Sequence, residues 1–176
     1  MARAPRSDQL QLLDVAQLDA QLARLKAEGE RHPLRAEVGE QMNLVAAKGR
    51  ELMEARAELD TAQAQLEEAE RRTRELAGIV AEKQGRLNAG TGMDSRQLLT
   101  LESEINANQA FLDEASDAEF VALERVEAAE SAIADIEAQQ AVLNERIVTG
   151  RAALEDAIAM LERDAADVRR ERDALY

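Results

Sequence analysis

Apolar residues recur every seven positions along most of the chain. Between Val38 and Leu87 the first position of each heptad, called a, is apolar in seven of eight cases, with Thr73 as the exception. A second series from Leu98 to Leu175 is apolar at ten of twelve a positions. Position d, three residues after each a, is more often small or polar. Heptads sustained over such lengths predict two long coiled-coil helices.

Two breaks divide this pattern into three helices. Gly29 and His32-Pro33 end the first stretch, because proline disfavours helical dihedral angles in the residue before it. Residues 88–94 then supply turn-forming residues inside the long pattern. The predicted elements are a first helix over 7–28 with Ser7 or Asp8 as its cap, a second helix over 33–87, a tip loop over 88–94 and a third helix over 95–175.

The tip loop carries the most specific local chemistry of the chain. Gly90 and Gly92 can adopt a positive φ without steric cost. Asp94 is followed three residues later by Gln97, which is the spacing of a capping box at a helix N-terminus. The chain is therefore expected to reverse direction here, with the helices on either side paired antiparallel.

The matching of large with small seam residues selects a register for this hairpin. In an antiparallel pair the numbers of facing residues have a constant sum, and the best match is obtained at a sum of 181. This register gives the facing pairs Leu66–Ala115, large on small, and Thr73–Asn108, polar on polar. It also places the break at residues 29–33 near Gly150, which predicts a weak joint at that point.

The composition agrees with an extended helical protein. Of 176 residues only two are Phe, one is Tyr and none is Trp, while 33% are charged. So few large rings cannot fill the core of a compact domain of this length. We expect an all-α fold and a single domain over 1–176, in which an elongated antiparallel coiled-coil hairpin of two long helices has the short N-terminal helix packed at its base.

The net charge of −14 opposes extensive contact with nucleic acid or with an anionic membrane. There is no cysteine, so the chain offers no thiolate metal site. No apolar run reaches the roughly 20 residues of a membrane span, and the first residues lack the apolar segment of a signal peptide. A cytoplasmic protein without membrane contact or bound metal is expected.

No combination of residues predicts a catalytic site. His32 is the sole histidine, and none of the serines has a base at a recognisable spacing. Activation of a nucleophile requires such a base. The protein is therefore predicted not to be an enzyme, and His32 is interpreted as a cap or hinge residue before Pro33.

Charge distinguishes the tip region from the helix that follows it. Residues 71–97 contain six basic and three acidic side chains, a balance of +3, whereas residues 98–147, the shaft, contain two basic and twelve acidic ones, a balance of −10. A basic surface could bind a phosphate backbone or an acidic protein. No aromatic residue lies near the tip, so stacking on bases is not expected. On the acidic shaft, Phe120 and Leu123 lie outside the seam and are a candidate contact.

Several short stretches resemble one family of bacterial proteins. They are the opening Gln9-Leu10-Gln11-Leu12-Leu13-Asp14, the His32-Pro33 break and the tip sequence Gly90-Thr91-Gly92-Met93-Asp94-Ser95-Arg96-Gln97-Leu98. The family combines a short helix, a long antiparallel coiled-coil hairpin and a C-terminal four-cysteine zinc ribbon, and some members are linked to flagellar biogenesis or type III secretion. The resemblance implies a non-catalytic adaptor that binds proteins and, largely through the ribbon, RNA. Zinc is expected only in a ribbon after residue 176, which is missing from this chain.

The sequence leaves three functions open. The first is a cytoplasmic adaptor that binds protein partners through the hairpin and its tip. The second is a nucleic-acid-associated factor that uses the basic tip together with the missing ribbon, and the third is a structural spacer or arm of a larger complex. The chain is expected to be a monomer or a weak dimer. The candidate tip residues are Arg86, Asn88, Gly90, Thr91, Gly92, Asp94, Arg96 and Gln97.

Overall fold

A computed structural model describes residues 5–90 and 92–175, apart from the side chains of Ser7 and Asp8. It contains three helices, α1 (Arg6–Glu30), α2 (Pro33–Ala89) and α3 (Ser95–Asp173). No strand occurs in the described residues, which confirms the all-α fold. The helices end within two residues of the predicted positions, α2 later and α3 earlier than expected. The predicted cap of α1 by Ser7 or Asp8 lies outside the described side chains.

Hydrogen bonds terminate both helices at the break between α1 and α2. The N–H of Arg31 donates to the carbonyl of Ala27 at 3.0 Å and ends α1. The N–H of Leu34 donates to Nδ1 of His32 at 3.3 Å, and Pro33 takes the first helical position, where a missing N–H costs nothing. His32 therefore caps α2, which confirms its predicted role.

The chain divides into two compact units. Unit 1 comprises Met1–Lys48 and Gln139–Tyr176, and thus contains α1, the first part of α2 and the last part of α3. Unit 2 comprises Gly49–Ala138, and thus contains the rest of α2, the tip and the first part of α3.

In unit 1, α1 runs antiparallel to the last part of α3. Arg172 Nε lies 2.6 Å from Asp19 Oδ1, and a Cβ on Gly29 would lie 3.8 Å from Leu161 Cδ1. Both pairs have residue numbers that add to nearly the same value, as antiparallel packing requires. Val15 of α1 is also buried.

In the last part of α3 and the residues just after it, the seam prediction is confirmed at the a positions, where Leu161, Val168 and Leu175 are buried or half-buried, and is wrong at the d positions. The predicted d residues Asp164 and Glu171 are exposed, whereas Ala165 and Arg172 are half-buried. The covered stripe thus turns from positions a and d to positions a and e, because α1, and not α2, packs along this stretch. Before it, the prediction is confirmed, since every a and d residue from Val38 to Leu87 and from Leu98 to Ala157 is buried or half-buried.

The register of the hairpin differs from the predicted one by one heptad. In unit 1, a Cβ on Gly150 would lie 2.9 Å from Val38 Cγ2, and these residue numbers add to 188. In unit 2, Arg125 donates to Gln65 at 3.1 Å between two g positions, which flank the seam on one side. The residue numbers of two facing g residues have a sum that is two higher than the sum for two facing seam residues. The contact between Arg125 and Gln65 therefore corresponds to a seam sum of 188 as well. The predicted sum of 181 is therefore wrong in both units.

A heptad shift changes the seam partners but keeps each a residue on a d residue. The observed register sets Leu66 level with Ala122, which is again large on small. The predicted pair Thr73–Asn108 does not form. Instead each of these side chains donates to a carbonyl four residues earlier in its own helix, at 3.1 and 2.7 Å. The predicted joint is wrong in one respect, because Gly150 lies against Val38 and not beside the break at residues 29–33.

Candidate functional site

The tip, defined as residues 86–97, begins with the end of α2. Gly90 has a φ of 59° and its N–H donates to the carbonyl of Arg86 at 3.3 Å. A glycine in the left-handed region that bonds back in this way is a common helix C-cap. Gly92 has a φ of 79°, so the predicted use of both glycines is confirmed. Asn88 lies in the last turn of α2 and not in the loop.

The tip ends with a capped start of α3. The N–H of Gln97 donates to Asp94 Oδ1 at 2.8 Å, and the N–H of Asp94 donates to Gln97 Oε1 at 3.0 Å. These reciprocal bonds form the predicted capping box. Hydrogen bonds therefore define the chain on both sides of the loop. Thr91, another predicted tip residue, lies outside the described residues.

A shallow groove runs between the ends of the two helices at the tip. The guanidinium-bearing residues Arg86 and Arg96 line it, and both are exposed. Met93 and Leu101, half-buried and buried respectively, add apolar surface. The remaining lining residues are Gly92, Gln97, Thr100 and Glu104. The structure thus brings together Arg86, Gly92, Arg96 and Gln97 of the predicted set.

Ion pairs neutralise part of the basic charge found in the sequence. Arg71 contacts Glu68 at 2.5 Å and Glu75 at 2.6 Å, and these contacts raise the pKa of its guanidinium. Lys83 of α2 contacts Glu104 of α3 at 2.5 Å. Three side chains, Arg72, Arg86 and Arg96, form no direct ion pair within the described part of the chain.

Basic side chains near the tip lower the pKa of the Glu104 carboxylate. The hydrogen bond from Lys83 is the main cause that lowers the pKa of Glu104, followed by the charge of Lys83, while the charge of Arg86 adds a smaller contribution. Arg86 and Glu104 are both lining residues of the tip groove. The groove therefore contains one carboxylate that is already held by Lys83, beside two guanidiniums that are open to a ligand.

On the shaft, the structure leaves the predicted contact residues open to solvent. Phe120 is 61% exposed and Leu123 is 41% exposed, so a large part of each side chain is accessible. Sequence reasoning missed a second apolar pair, Ile79 and Phe111, which are 39% and 53% exposed. Both occupy g positions, and the observed register sets them level with each other. The sequence did contain a signal for this pair, because both g residues are apolar. The predicted register, which was wrong, did not place them opposite each other.

No arrangement of residues in the described parts of the chain suggests a metal site or a membrane span. No group of three or more histidine or carboxylate side chains there is placed to hold a metal ion. None of the helices described has an apolar stretch long enough to cross a bilayer.

Comparison with known proteins supports the hairpin. The family model described as the CT398-like coiled coil hairpin domain matches residues 15–176. No curated protein matches the chain significantly.

Three solved structures share the fold. A protein from Mycobacterium smegmatis is 18% identical with a TM-score of 0.70, and the match covers 99% of this chain and 72% of that one. The HP0958 protein from Helicobacter pylori is 13% identical with a TM-score of 0.65, covering 98% of this chain and 71% of that one. A coiled-coil segment of Pyrococcus yayanosii Smc is 20% identical with a TM-score of 0.50, covering 95% of this chain and 86% of that one.

Proposed function

This chain belongs to the family of CT398-like coiled coil hairpin domains, and on that premise we propose that it is a non-catalytic cytoplasmic adaptor whose tip binds protein partners. The observation that supports this most directly is the pair of exposed guanidiniums, Arg86 in the last turn of α2 and Arg96 in the first turn of α3, at two helix ends that are both capped. A loop that only reversed the chain would need neither charge. Residues held in capped helix ends lose less conformational entropy on binding.

The groove chemistry favours a protein over a nucleic acid as the partner. Met93 and Leu101 place apolar surface beside the arginines, so a segment with an acidic residue next to an apolar one matches the groove. Nucleic acid would use the same arginines, but the charge of −14 repels a phosphate backbone beyond the tip. RNA binding therefore remains the second candidate, and it rests on Arg86 and Arg96 together with a ribbon.

We also propose that the full-length protein continues into the zinc ribbon expected from the family resemblance. The two longer solved relatives support a further segment, since the match covers only 72% and 71% of their chains. The reading frame beyond Tyr176 tests this proposal. Two paired-cysteine motifs would support it, and a stop codon directly after Tyr176 would contradict it.

Charge reversal at the tip tests the proposed function. Arg86→Glu with Arg96→Glu should weaken binding of a partner recovered with the wild-type chain by at least about tenfold, or about 1.4 kcal/mol. Helicity should be unchanged, because neither residue lies in an a or d position. The control, Arg146→Glu with Arg163→Glu, makes the same charge change at exposed residues away from the tip.

Two outcomes would contradict the protein-adaptor proposal. Equal affinity of the wild type and the tip variant would remove the tip from recognition. Salt-sensitive binding of a single-stranded RNA oligonucleotide that is lost in the tip variant, with no protein partner recovered, would favour the nucleic-acid alternative.

A further inference from the structure

We propose that Phe120 and Leu123, together with the carboxylates around them, form a docking surface for a basic amphipathic helix of a partner protein. This surface is called the shaft patch. It lies on α3 within unit 2, does not include any tip residue, and carries the opposite charge to the tip. The proposal is therefore independent of the function assigned to the tip.

The apolar part of the shaft patch has the spacing of a helix-binding anchor. Phe120 and Leu123 are three residues apart on α3 and so project from the same side of the helix. They are 61% and 41% exposed, although the seam residues beside them, Ala122 and Val126, are buried. The hairpin thus completes its own seam without covering this pair.

Four carboxylates surround the apolar pair. Asp117 and Glu124 lie one turn from Phe120 along α3, and Asp113 and Glu127 lie two turns from it. None of the four forms an ion pair with a basic side chain in the described part of the chain. Asp113 accepts a hydrogen bond from Gln109 at 2.9 Å, which leaves its charge in place. The shaft patch therefore carries four carboxylates that have no ion-pair partner in the described part of the chain.

The basic residues nearby do not form ion pairs with the carboxylates of the shaft patch. Between Arg96 and Arg125, α3 contains no basic residue, and Arg125 donates to Gln65 on the other side of the seam. On α2, Arg74 lies 4.0 Å from Glu70. Arg72 and Arg125 line the same surface depression as Asp117, but neither forms an ion pair with it. In the described part of the chain, no basic side chain is paired with a carboxylate of the shaft patch.

Charge complementarity selects the kind of partner. An apolar pair at helical spacing matches the apolar side of an amphipathic helix, and four carboxylates match lysine or arginine residues flanking that side. A phosphate backbone or anionic lipid would be repelled by the same carboxylates. A second copy of the chain would bring its own acidic shaft against this one, so self-association here is also opposed.

Phe111 provides a matched control on the same helix. It is 53% exposed, comparable to Phe120, but its neighbours one turn away are Ala107, Asn108, Glu114 and Ala115. Its apolar neighbour across the seam is Ile79. Phe111 therefore tests whether binding requires an exposed ring alone or an exposed ring surrounded by carboxylates.

A labelled synthetic peptide of leucine, alanine and lysine, with leucine at i, i+3, i+4 and i+7, serves as the probe. Fluorescence anisotropy measures its affinity for the whole chain. Phe120→Ala with Leu123→Ala should weaken binding by at least about tenfold. Glu124→Gln with Glu127→Gln should weaken it several-fold and reduce its dependence on salt. Phe111→Ala and the tip variant Arg86→Glu with Arg96→Glu should each leave it unchanged.

Three results would overturn the proposal. They are no binding to the wild type, equal binding of a peptide of the same composition with scrambled leucine positions, and equal losses in the Phe111 and Phe120 variants. A fourth contradicting result could come from sedimentation of the proteins without peptide. A change in oligomeric state on substitution of Phe120 and Leu123 would identify a second copy as the occupant. Circular dichroism confirms that the variants fold.

Discussion

At position 150 the absence of a side chain lets α3 approach α2 closely. A Cβ there would lie 2.9 Å from Val38 Cγ2, well inside van der Waals contact, and Val38 is buried and stiff at χ1 in a helix. Glycine in the middle of a helix normally costs about 1 kcal/mol relative to alanine. The close contact offsets that cost, so the residue that looks weakest in the sequence is a packing residue.

Alanine at position 150 should therefore destabilise the protein. The helix gains about 1 kcal/mol, but overpacking against Val38 costs about 1–3 kcal/mol, so a net loss of about 1 kcal/mol is expected. With Val38→Ala already present, the same change should stabilise by up to about 1 kcal/mol. Urea unfolding followed by circular dichroism measures both.

Gly39→Ala is the matched control for this prediction. It also lies in a helix of unit 1, but a Cβ there would meet nothing within 4 Å, so it should stabilise the protein. Equal stabilisation by the substitutions at 39 and 150 would show that the close approach to Val38 has no energetic effect.

At the scale of the helices, the register of the hairpin is set by packing contacts. A periodic sequence does not determine the register, because registers that differ by one heptad have the same pattern. Shifts of one heptad all place a on d, and Leu66 meets an alanine at either sum, Ala115 at 181 or Ala122 at 188. Thr73 and Asn108 could not discriminate, because each satisfies its hydrogen bond on its own helix. The contacts of Gly150 and Gln65 discriminate, because they depend on close approach and on side-chain reach across the seam.

Paired cysteines distinguish the two registers. Leu66→Cys with Ala122→Cys should oxidise to a cross-linked monomer even at high dilution. Leu66→Cys with Ala115→Cys should not, because a shift of one heptad displaces the partner by about 10 Å. A disulfide needs Cα atoms within about 7 Å of each other. The chain has no native cysteine to interfere. Non-reducing electrophoresis reads out the result, and faster cross-linking of the 66–115 pair would refute the observed register.

The contact between Lys83 and Glu104 joins α2 to α3 and should make stability pH-dependent. Because the pKa of Glu104 is lowered in the folded protein, its contribution is present above the unfolded pKa and is lost as pH falls through the folded value. That loss begins below the ordinary pKa of 4.5. Lys83→Met should raise the pKa of Glu104 towards 4.5, as measured by carbon-13 NMR titration.

A second background checks the origin of this effect. In Glu104→Gln, the further change Lys83→Met should not alter the pH dependence of the urea midpoint below pH 4.5. If Lys83→Met changes it equally in both backgrounds, a carboxylate other than Glu104 is responsible.

For the molecule as a whole, the net charge of −14 is the dominant electrostatic property. Repulsion among like charges opposes the folded state, whereas exposed ion pairs such as Arg56–Glu137 contribute little. Salt weakens both effects. Weaker repulsion raises the stability of the folded state, whereas weaker ion pairs lower it.

Raising sodium chloride from about 0.01 M to about 1 M, which shortens the Debye length from about 30 Å to about 3 Å, should therefore raise the thermal midpoint. Circular dichroism at pH 7 measures it. Potassium chloride should have the same effect if screening is the cause. A lower midpoint in salt would show that the ion pairs outweigh the repulsion.

Much of the local structure was determined by the sequence alone. The a and d pattern, the His32-Pro33 break, the glycines at 90 and 92 and the Asp94–Gln97 spacing act through near neighbours along the chain, so helix limits and caps could be predicted from them. The candidate residues of the tip, Arg86 and Arg96, were also identified from local charge.

The tertiary structure alone decided the choice between equivalent packings. Heptads repeat, so the register of Leu66 depended on the close approach at Gly150, and the turn of the α3 stripe after Ala157 depended on where α1 packs. The exposure of Phe120 and the level placement of Ile79 and Phe111 also required the assembled helices. These features depend on residues far apart in sequence, and their energies are set by contacts that a periodic pattern does not specify.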